Sequence, residues 1–350
     1  MGRGRGAVPL VADQLDPTYG SDKDGLVWGY IIIPGQPARQ VDADAARDWL
    51  AASDAAPDGG FLWLHFTLSN VAAERWMRRY LSPPDAFLES LGGEVGSTRL
   101  ELDGDALVGV IHDVLFEFSF DPAAMSTVSL CVTRRYLVSA RLRPLRSLDQ
   151  FRLAVKNGAT FRSSAELLGH LLREQAAVLV DIVRKVTGRV DGIEDRLLAH
   201  RLTTSRRELG TLRGLLVRLQ RLLAPEPAAL FRLLSRPPDW ITEDDLQDLR
   251  QAAEEFSAAV VDSGALVERI KLLQEELAAN VGEQTGRTLF VLTMVTVLAL
   301  PVNLIAGLFG MNVGGVPLAE HPHGFLVVAV TLLGLTTLLA WLAFRRWGGE

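Results

Sequence analysis

Two long stretches of this 350-residue chain have no ionisable side chain: residues 288–309 and 324–344 contain no Asp, Glu, Lys, Arg or His. Elsewhere charge is plentiful, at 22% of the whole chain. Cysteine is almost missing. Cys131 stands alone, which excludes an intrachain disulfide and a Cys-rich zinc site. It lies in the apolar run SLCVTRRY and reads as a small buried hydrophobe. Lysine occurs only at Lys23, Lys156, Lys185 and Lys271. The net charge of −6 argues against nucleic acid as a partner. The N-terminal MGRGRGAVPLVADQLDPTYG has no apolar segment and so is no signal peptide. Gly6 stands where a myristoylation signal needs Ser or Thr. There is no P-loop, dinucleotide fingerprint or nucleophile elbow, so neither an enzyme nor a bound cofactor is expected.

What is present in the two uncharged stretches is Leu, Val, Ala, Thr and Phe. Each would form a helix about 30 Å long at 1.5 Å per residue, enough to cross the hydrocarbon core of a bilayer. Uncharged runs of this length favour membrane spans over a pair of helices buried in a soluble core. The connection Gly310–His323 has no Lys or Arg, whereas Arg287 precedes the first span and Arg345 and Arg346 follow the second. The positive-inside rule then places both termini in the cytoplasm and the connection outside. Trp341, Phe344 and Trp347 suit the inner interface.

The remainder divides by pattern. Residues 1–24 read as a mobile tail. Residues 25–160 read as an α/β domain, with strands at 26–33, 61–68, 99–101, 106–116 and within 125–140. Helices are expected at 43–52, 72–81 and 84–91, and Asp103-Gly104 signals a hairpin. Residues 161–287 read as long stalk helices: one at 165–201, one at 203–223 stopped by Pro225 and Pro227, and one beginning beyond Thr242, which makes a capping box with Asp245. No proline follows until Pro301, so this last helix runs on to Phe309. Leu246, Leu249, Ala253, Phe256, Val260, Ser263, Val267, Ile270, Gln274, Leu277 and Val281 alternate at spacings of three and four, a bundle-packing face. Residues 288–309, 310–323, 324–344 and 345–350 are then first span, external loop, second span and basic tail.

A second stripe repeats every seven residues: Glu268, Glu275, Gly282, Leu289, Thr296 and Asn303. It is acidic before the first span and carries Thr296 and Asn303 within it. Lipid offers no partner to an amide, so Asn303 must face protein or water. An interhelical hydrogen bond is one reading; a polar ring in a water-filled pore is the other, favoured because the stripe crosses the membrane boundary. Leu292 and Leu300 would form apolar constrictions beside it. Two spans cannot enclose a path alone, so a pore implies an oligomer lined by the first span of each copy.

The run GLFGMNVGGVP, Gly307–Pro317, resembles the CorA-type divalent-cation transporters, which have two spans and a Gly-x-Asn signature. It is most similar to the zinc transporter ZntB branch, because Val313-Gly314-Gly315-Val316-Pro317 stands where CorA proper has Phe and an acidic stretch. The resemblance implies a funnel-shaped homopentamer in the bacterial inner membrane, with an α+β cytoplasmic domain, long helices and two C-terminal transmembrane helices. It places Asn312, with Gly310 and Met311, at the outer mouth, holding a hydrated cation. It places Thr296, Leu300 and Asn303 on the pore wall and Glu275 in a cytoplasmic acidic ring; the stripe itself adds Leu289 and Leu292 to the expected path and Glu268 to the acidic part.

An asparagine ring suits a hydrated ion, since Mg²⁺ keeps its waters. Zinc prefers His, Cys and carboxylate, none of which lies within either span. The external Glu320-His321-Pro322-His323 offers His321 and His323 as capture or proton-handling groups, or else is a polar turn. His65, His112, His170 and His200 occur singly and read as structural. The expected cargo is Zn²⁺, moved through an oligomeric pore with possible proton linkage. Mg²⁺, Co²⁺ or Ni²⁺ is the alternative cargo. A membrane-anchored oligomeric sensor without transport is the rival class, but an anchor has no use for Thr296, Asn303 and Asn312.

Overall fold

A computed structural model describes residues 20–52, 59–92, 98–117, 120–121, 124–198, 205–311 and 322–347. The chain divides into two compact units, Met1–Leu272 and Leu273–Glu350.

The first unit is built on a seven-stranded sheet in the order β2-β1-β3-β7-β6-β5-β4. The strands are β1 (Leu26–Ile32), β2 (Arg39–Val41), β3 (Phe61–Thr67), β4 (Arg99–Asp103), β5 (Ala106–Val114), β6 (Met125–Val132) and β7 (Tyr136–Arg141). All neighbours are antiparallel except β3 and β7, which run parallel from Leu62↔Tyr136 to Thr67↔Arg141. Strand residues alternate between two cores, and both faces are covered, so the central strands read as continuous apolar runs. Trp28, Tyr30, Phe61, Trp63, Ile111 and Leu130 share one core. Leu62, Leu64, Phe66, Val108, Cys131 and Val138 share the other.

Three helices cover this second face: α1 (Ala43–Ala52), α2 (Ala72–Tyr80) and α3 (Asp85–Leu91). Ala46, Ala73, Met77 and Phe87 are their fully buried contributions. The first face receives α4 (Arg146–Lys156), α5 (Ser164–Leu198), α7 (Pro225–Leu234) and the start of α8 (Glu243–Phe309), through Phe151, Leu168, Leu230 and Leu249 among others. Helix α6 (Ser205–Leu223) precedes α7. Gly104 turns the β4–β5 hairpin at φ +60°, a conformation that side chains with a Cβ seldom adopt.

The start of α8 is the anticipated capping box. Thr242 Oγ1 accepts the Asp245 amide at 3.2 Å, and Asp245 Oδ2 takes the Thr242 hydroxyl at 2.7 Å. The packing face of α8 is buried through Leu277, but Val281 is 45% exposed, so the stripe ends a turn before its expected close.

Three elements differ from the sequence reading. Strand β2 was not anticipated, being three residues on a sheet edge. Helix α4 was not anticipated either; its first turn is held by Asp113 rather than by a local cap. The prolines at 225 and 227 do not merely stop a helix. Pro225 is the first residue of α7, where its missing N–H has no intrahelical partner to lose. Within the expected tail, Asp22 belongs to the folded unit: its Oδ1 accepts the amides of Asp24 and Leu26, each at 2.9 Å.

The second unit contains the remainder of α8 and α9 (Gly324–Trp347). The most apolar 18-residue windows of the two helices have mean hydropathies of 2.3 and 2.1 and are 0% and 6% buried. A core helix of a soluble protein would be covered. These are bare, which excludes the buried-pair reading and leaves lipid or other protein copies to cover them.

Candidate ion pathway

The geometry of the first span follows from which face is already occupied. Along the first-span part of α8, residues 288–309, the half-buried residues are Phe290, Met294, Leu298, Pro301, Val302 and Ile305. Ile305 and Phe309 line a groove together with Val327, Val328, Thr331, Leu332 and Leu335 of α9. This is the face that α9 covers. At 3.6 residues per turn, Leu289, Leu292, Thr296, Asn303 and Gly310 fall within a sector roughly 60° wide, with Leu300 at its edge. That sector lies about 180° from Met294, Leu298 and Ile305. The polar stripe therefore faces away from the second span and is exposed in the single chain, with Leu289, Leu292 and Leu300 at 58%, 62% and 66%.

Threonine is tolerated here because its hydroxyl bonds back within the helix. Thr296 Oγ1 donates to the Leu292 carbonyl at 2.9 Å, as Thr293 does to Leu289 at 2.8 Å. The Thr296 oxygen still has lone pairs for a water. Asn303 cannot satisfy both ends of its amide this way, and it is exposed. Helix α8 ends at Phe309. The Gly310 amide bonds to Ala306 at 2.9 Å and the Met311 amide to Leu308 at 3.4 Å. A Cβ on Gly310 would meet the Ala306 carbonyl oxygen at 3.1 Å, which accounts for glycine at this exit. Met311 is 54% exposed. Asn312 and His321 lie outside the described residues.

The acidic part of the stripe needs a correction. A strict seven-residue repeat drifts by about 20° per heptad in a straight α-helix. Over the five heptads from Asn303 back to Glu268 the drift is about 100°, so Glu268 and Asn303 share a face only where the helix supercoils. Glu268 is exposed and pairs with Lys271 at 3.7 Å, and Glu275 is exposed. His323 is exposed just before α9, and its carbonyl accepts the Val327 amide at 3.1 Å. No group of three His, Cys, Asp or Glu side chains able to hold a metal occurs among the described residues. What the span presents is amide and hydroxyl oxygen between apolar rungs, a surface for ions that keep their water.

The structure brings together polar groups in the first unit that the sequence reading left scattered. Glu226, wholly buried, accepts the His112 amide at 2.6 Å and the Gln175 side-chain amide at 2.7 Å. Burial pushes its carboxyl well above the usual range. Asp113 Oδ2 accepts the Ser147 amide at 3.0 Å and hydroxyl at 2.6 Å, at the first turn of α4. Burial still raises it to about 6. His112 is buried and held below its ordinary value by desolvation. Arg141 Nε donates to His65 Nε2 at 2.7 Å, and Trp28 stacks on the His65 ring at 3.9 Å. The histidines at 65 and 112 are thus buried network members, in line with the structural reading; His170 is half-buried and His200 lies outside the described residues. The Cys131 thiol is buried and pushed up to about 12 by desolvation, so it is inert as a nucleophile.

Known proteins share this architecture. The profile of the CorA-like Mg2+ transporter protein family matches residues 58–346. The divalent cation transporter CmaX of Pseudomonas aeruginosa is 27% identical over 327 residues, covering 93% of this chain and 97% of that protein. A solved structure of full-length CmaX superposes with a TM-score of 0.77, covering 93% of this chain and 98% of that chain at 27% identity. The zinc transport protein ZntB of Pectobacterium atrosepticum is 24% identical over 304 residues, 87% of this chain and 93% of its own. The CorA magnesium transporter of Methanocaldococcus jannaschii shares the fold, with a TM-score of 0.74 at 18% identity, covering 91% of this chain and 97% of that one. The chain therefore belongs to the CorA-like Mg2+ transporter family, whose members are divalent-cation transporters and not enzymes.

Proposed function

We propose that this divalent-cation transporter carries Zn²⁺ through a pore formed by five copies of the first span, in a bacterial inner membrane with both termini cytoplasmic. The observation that carries the reading is the pair of opposed faces on α8: one covered by α9, the other bearing Thr296 and Asn303 with nothing over it. An anchor or sensor has no use for that second face. A ring of copies turns it inward, and two spans from one chain cannot close around an ion by themselves. In this reading residues 161–287 supply the funnel wall and residues 25–160 its outer α+β domain. The Gly310–His323 connection forms the outer mouth, where Gly310, Met311 and Asn312 meet the hydrated ion.

Zinc is favoured by the Gly-Gly-Val-Pro run after Asn312 and by the similarity to proteins named as zinc transporters. Magnesium is the second reading, favoured by the lack of His, Cys or carboxylate in either span, since a path of amides and hydroxyls passes ions that retain their shell. With no titratable group in the spans, any proton linkage has to use His321 and His323 or the carboxylates Glu268 and Glu275. Those carboxylates, repeated around a ring, would also give cytoplasmic metal a place to act back on the path.

Flux into proteoliposomes tests both levels. Wild-type protein should move Zn²⁺ faster than Mg²⁺, and a pH gradient should alter the zinc rate. Asn303→Leu and Asn312→Ala should each reduce flux at least about tenfold, the scale of one lost charge-assisted contact, while the oligomer still elutes at its normal size. Unchanged flux in both variants would remove the polar stripe from the ion path. Gradient-independent flux with Mg²⁺ preferred would replace the zinc assignment while leaving the pore intact.

A further inference from the structure

Helices α6 and α8 carry opposite charge. Helix α6 holds five arginines and one carboxylate, Glu208, which is paired with Arg196 at 2.9 Å. Residues 243–272 of α8, which belong to the first unit, hold eight carboxylates against Arg250, Arg269 and Lys271. Arg207 and Arg221 pair with no carboxylate among the described residues, and Glu254 and Asp262 have no cationic partner there. All four are exposed. Single surface charges of this kind are ordinary; these fall into a pattern.

The buried packing face of α8 runs through Phe256, Val260, Ser263, Val267 and Ile270. About 160° around the helix lies a second seam. Glu254, Ala258, Val261, Ala265, Glu268 and Leu272 recur there at spacings of four and three, and all are exposed, Val261 at 66% and Leu272 at 63%. Helix α6 has a seam of the same kind: Arg207, Gly210, Gly214, Val217 and Arg221 recur at spacings of three and four, and all are exposed. This alternation is the spacing of helix-to-helix contact, and a helix with two such faces has two partners. The two exposed seams match in chemistry. Glu254 and Glu268 bracket Ala258, Val261 and Ala265, while Arg207 and Arg221 bracket Gly210, Gly214 and Val217 over the same two-heptad span. A Cβ on Gly214 would meet nothing within 4 Å, so the α6 seam has an open notch at its centre. The directions match as well. Ser163 bonds to Asp245, and Arg269 pairs with Asp191 at 2.8 Å, so α5 and α8 run the same way. Glu208 pairs with Arg196 near the end of α5, and Gln220 approaches Gly264, so α6 runs opposite to α8. A ring whose axis runs along α8 keeps that antiparallel sense between neighbours.

We propose that these faces dock on one another between neighbouring copies of the chain, the basic α6 seam of one copy lying against the acidic 254–272 seam of α8 in the next. Two different faces of one chain make a head-to-tail contact, the kind that closes into a ring. The small and apolar residues at the centre let the helices approach and exclude water, and the charges at the rim fix the partner and its register. The inference rests on the oligomer of the proposed function and adds to it the contact that joins the first units.

The test is cysteine cross-linking of the full chain purified in detergent, where the buried Cys131 leaves a low background. Chains bearing Val217→Cys and chains bearing Ala265→Cys, differently tagged, are co-expressed and treated with a short bis-maleimide. A covalent pair carrying both tags is expected, with a yield at least about tenfold above that of either variant alone, because docking raises the effective concentration of the two thiols. Adding Arg207→Glu and Arg221→Glu to the first chain should lower the mixed yield roughly tenfold by setting like charges opposite one another. Adding Glu254→Arg and Asp262→Arg to the second chain should then restore it. All six positions are exposed, so the fold tolerates the changes, and none belongs to the ion path. A mixed yield no higher than the single-variant yields, in a protein that light scattering shows to be an oligomer, would overturn the docking and leave the pore reading standing. Charge reversal without loss of yield, or a charge swap that fails to restore it, would overturn the docking too. A monomer in light scattering would overturn both.

Discussion

The two units cover their apolar side chains to opposite degrees. In the first, Phe61, Leu62, Trp63 and Leu64 follow one another along β3 at 0% exposure. In the second, Phe325, Leu326, Val330 and Leu333 along α9 are 61–90% exposed. Composition does not separate them, since both runs are dominated by large apolar side chains, with Leu and Phe in each. What differs is the partner. A strand leaves its apolar faces to be covered by helices of the same chain, whereas a span leaves them to lipid and to further copies. Polar groups follow the same division. Buried ones in the first unit are bonded within it, as Glu226 and Asp113 are. Those of the first span bond back along their own helix, as Thr296 does, or face outward, as Asn303 does.

The sharpest way to break this comparison is to remove a large side chain from each region. Phe151 is 2% exposed and packs on Trp63 and Phe161 with ring centroids 5.0 and 5.7 Å away. Phe151→Ala should cost about 3–5 kcal/mol, followed by the near-ultraviolet circular dichroism of the first unit during denaturation. Leu333, 70% exposed, is the control. Leu333→Ala should change the same transition by less than about 0.5 kcal/mol. Leu333→Arg should fail at a different stage, membrane insertion, with a penalty of about 2.5–3.5 kcal/mol. Equal losses from the two alanine substitutions would erase the distinction between the units.

A smaller effect, of about 3 kcal/mol, should come from Asp113, since a displacement of about two pH units is worth that much. Its folded-state value is raised from 3.8 to about 6 by burial, opposed by Ser147. For an acid displaced upward, the folded state binds the proton more tightly than the unfolded chain. The associated stability is therefore fully present below about pH 4 and lost as pH rises to about 6. Glu226 is displaced in the same direction and adds to the loss at higher pH. Asp113→Asn keeps one acceptor for Ser147 and cannot ionise. It should flatten the stability profile between pH 4 and 6, measured as the thermal midpoint of the purified chain. A profile as steep as that of the wild type would show that Asp113 does not carry the dependence.

What was legible in the sequence follows the range of the interactions. The two spans, the strands of the central sheet and the Thr242 cap depend on neighbours within a few residues, and their signals were local. The expectation that Asn303 faces protein or water rests on a local fact, that an amide inside an uncharged run has few compatible surroundings; which face α9 would cover gave no such signal, because that is a tertiary fact. The buried networks gave no local signal. His65 meets Arg141 across 76 residues, and Glu226 meets His112 across 114. Helix α4 was missed for the same reason: Asp113, which holds its first turn, lies 34 residues before Ser147. The heptad reading joined Glu268 to Asn303 by period alone, whereas the drift of a 3.6-residue helix against a seven-residue repeat separates them in a straight helix.

The smallest effect belongs to a purely local feature. Thr242 accepts the Asp245 amide and donates its hydroxyl to the same residue's carboxylate, which also takes the Ser163 hydroxyl at 2.7 Å. The cap thus joins the starts of α5 and α8, since Ser163 also accepts the Glu166 amide at 2.9 Å. Thr242→Ala removes one acceptor from the first turn of α8 but leaves Asp245 its bond from Ser163. It should cost about 1 kcal/mol. Asp245→Ala removes the shared carboxylate and should cost more, because both hydroxyls lose their acceptor. If the two substitutions cost the same, the helix starts are capped independently. If Asp245→Ala costs more, they are joined, and local capping here serves tertiary packing. That second outcome is the one the shared carboxylate requires, and it would mean that even a feature legible within four residues of sequence acquires part of its energy from a helix 82 positions away.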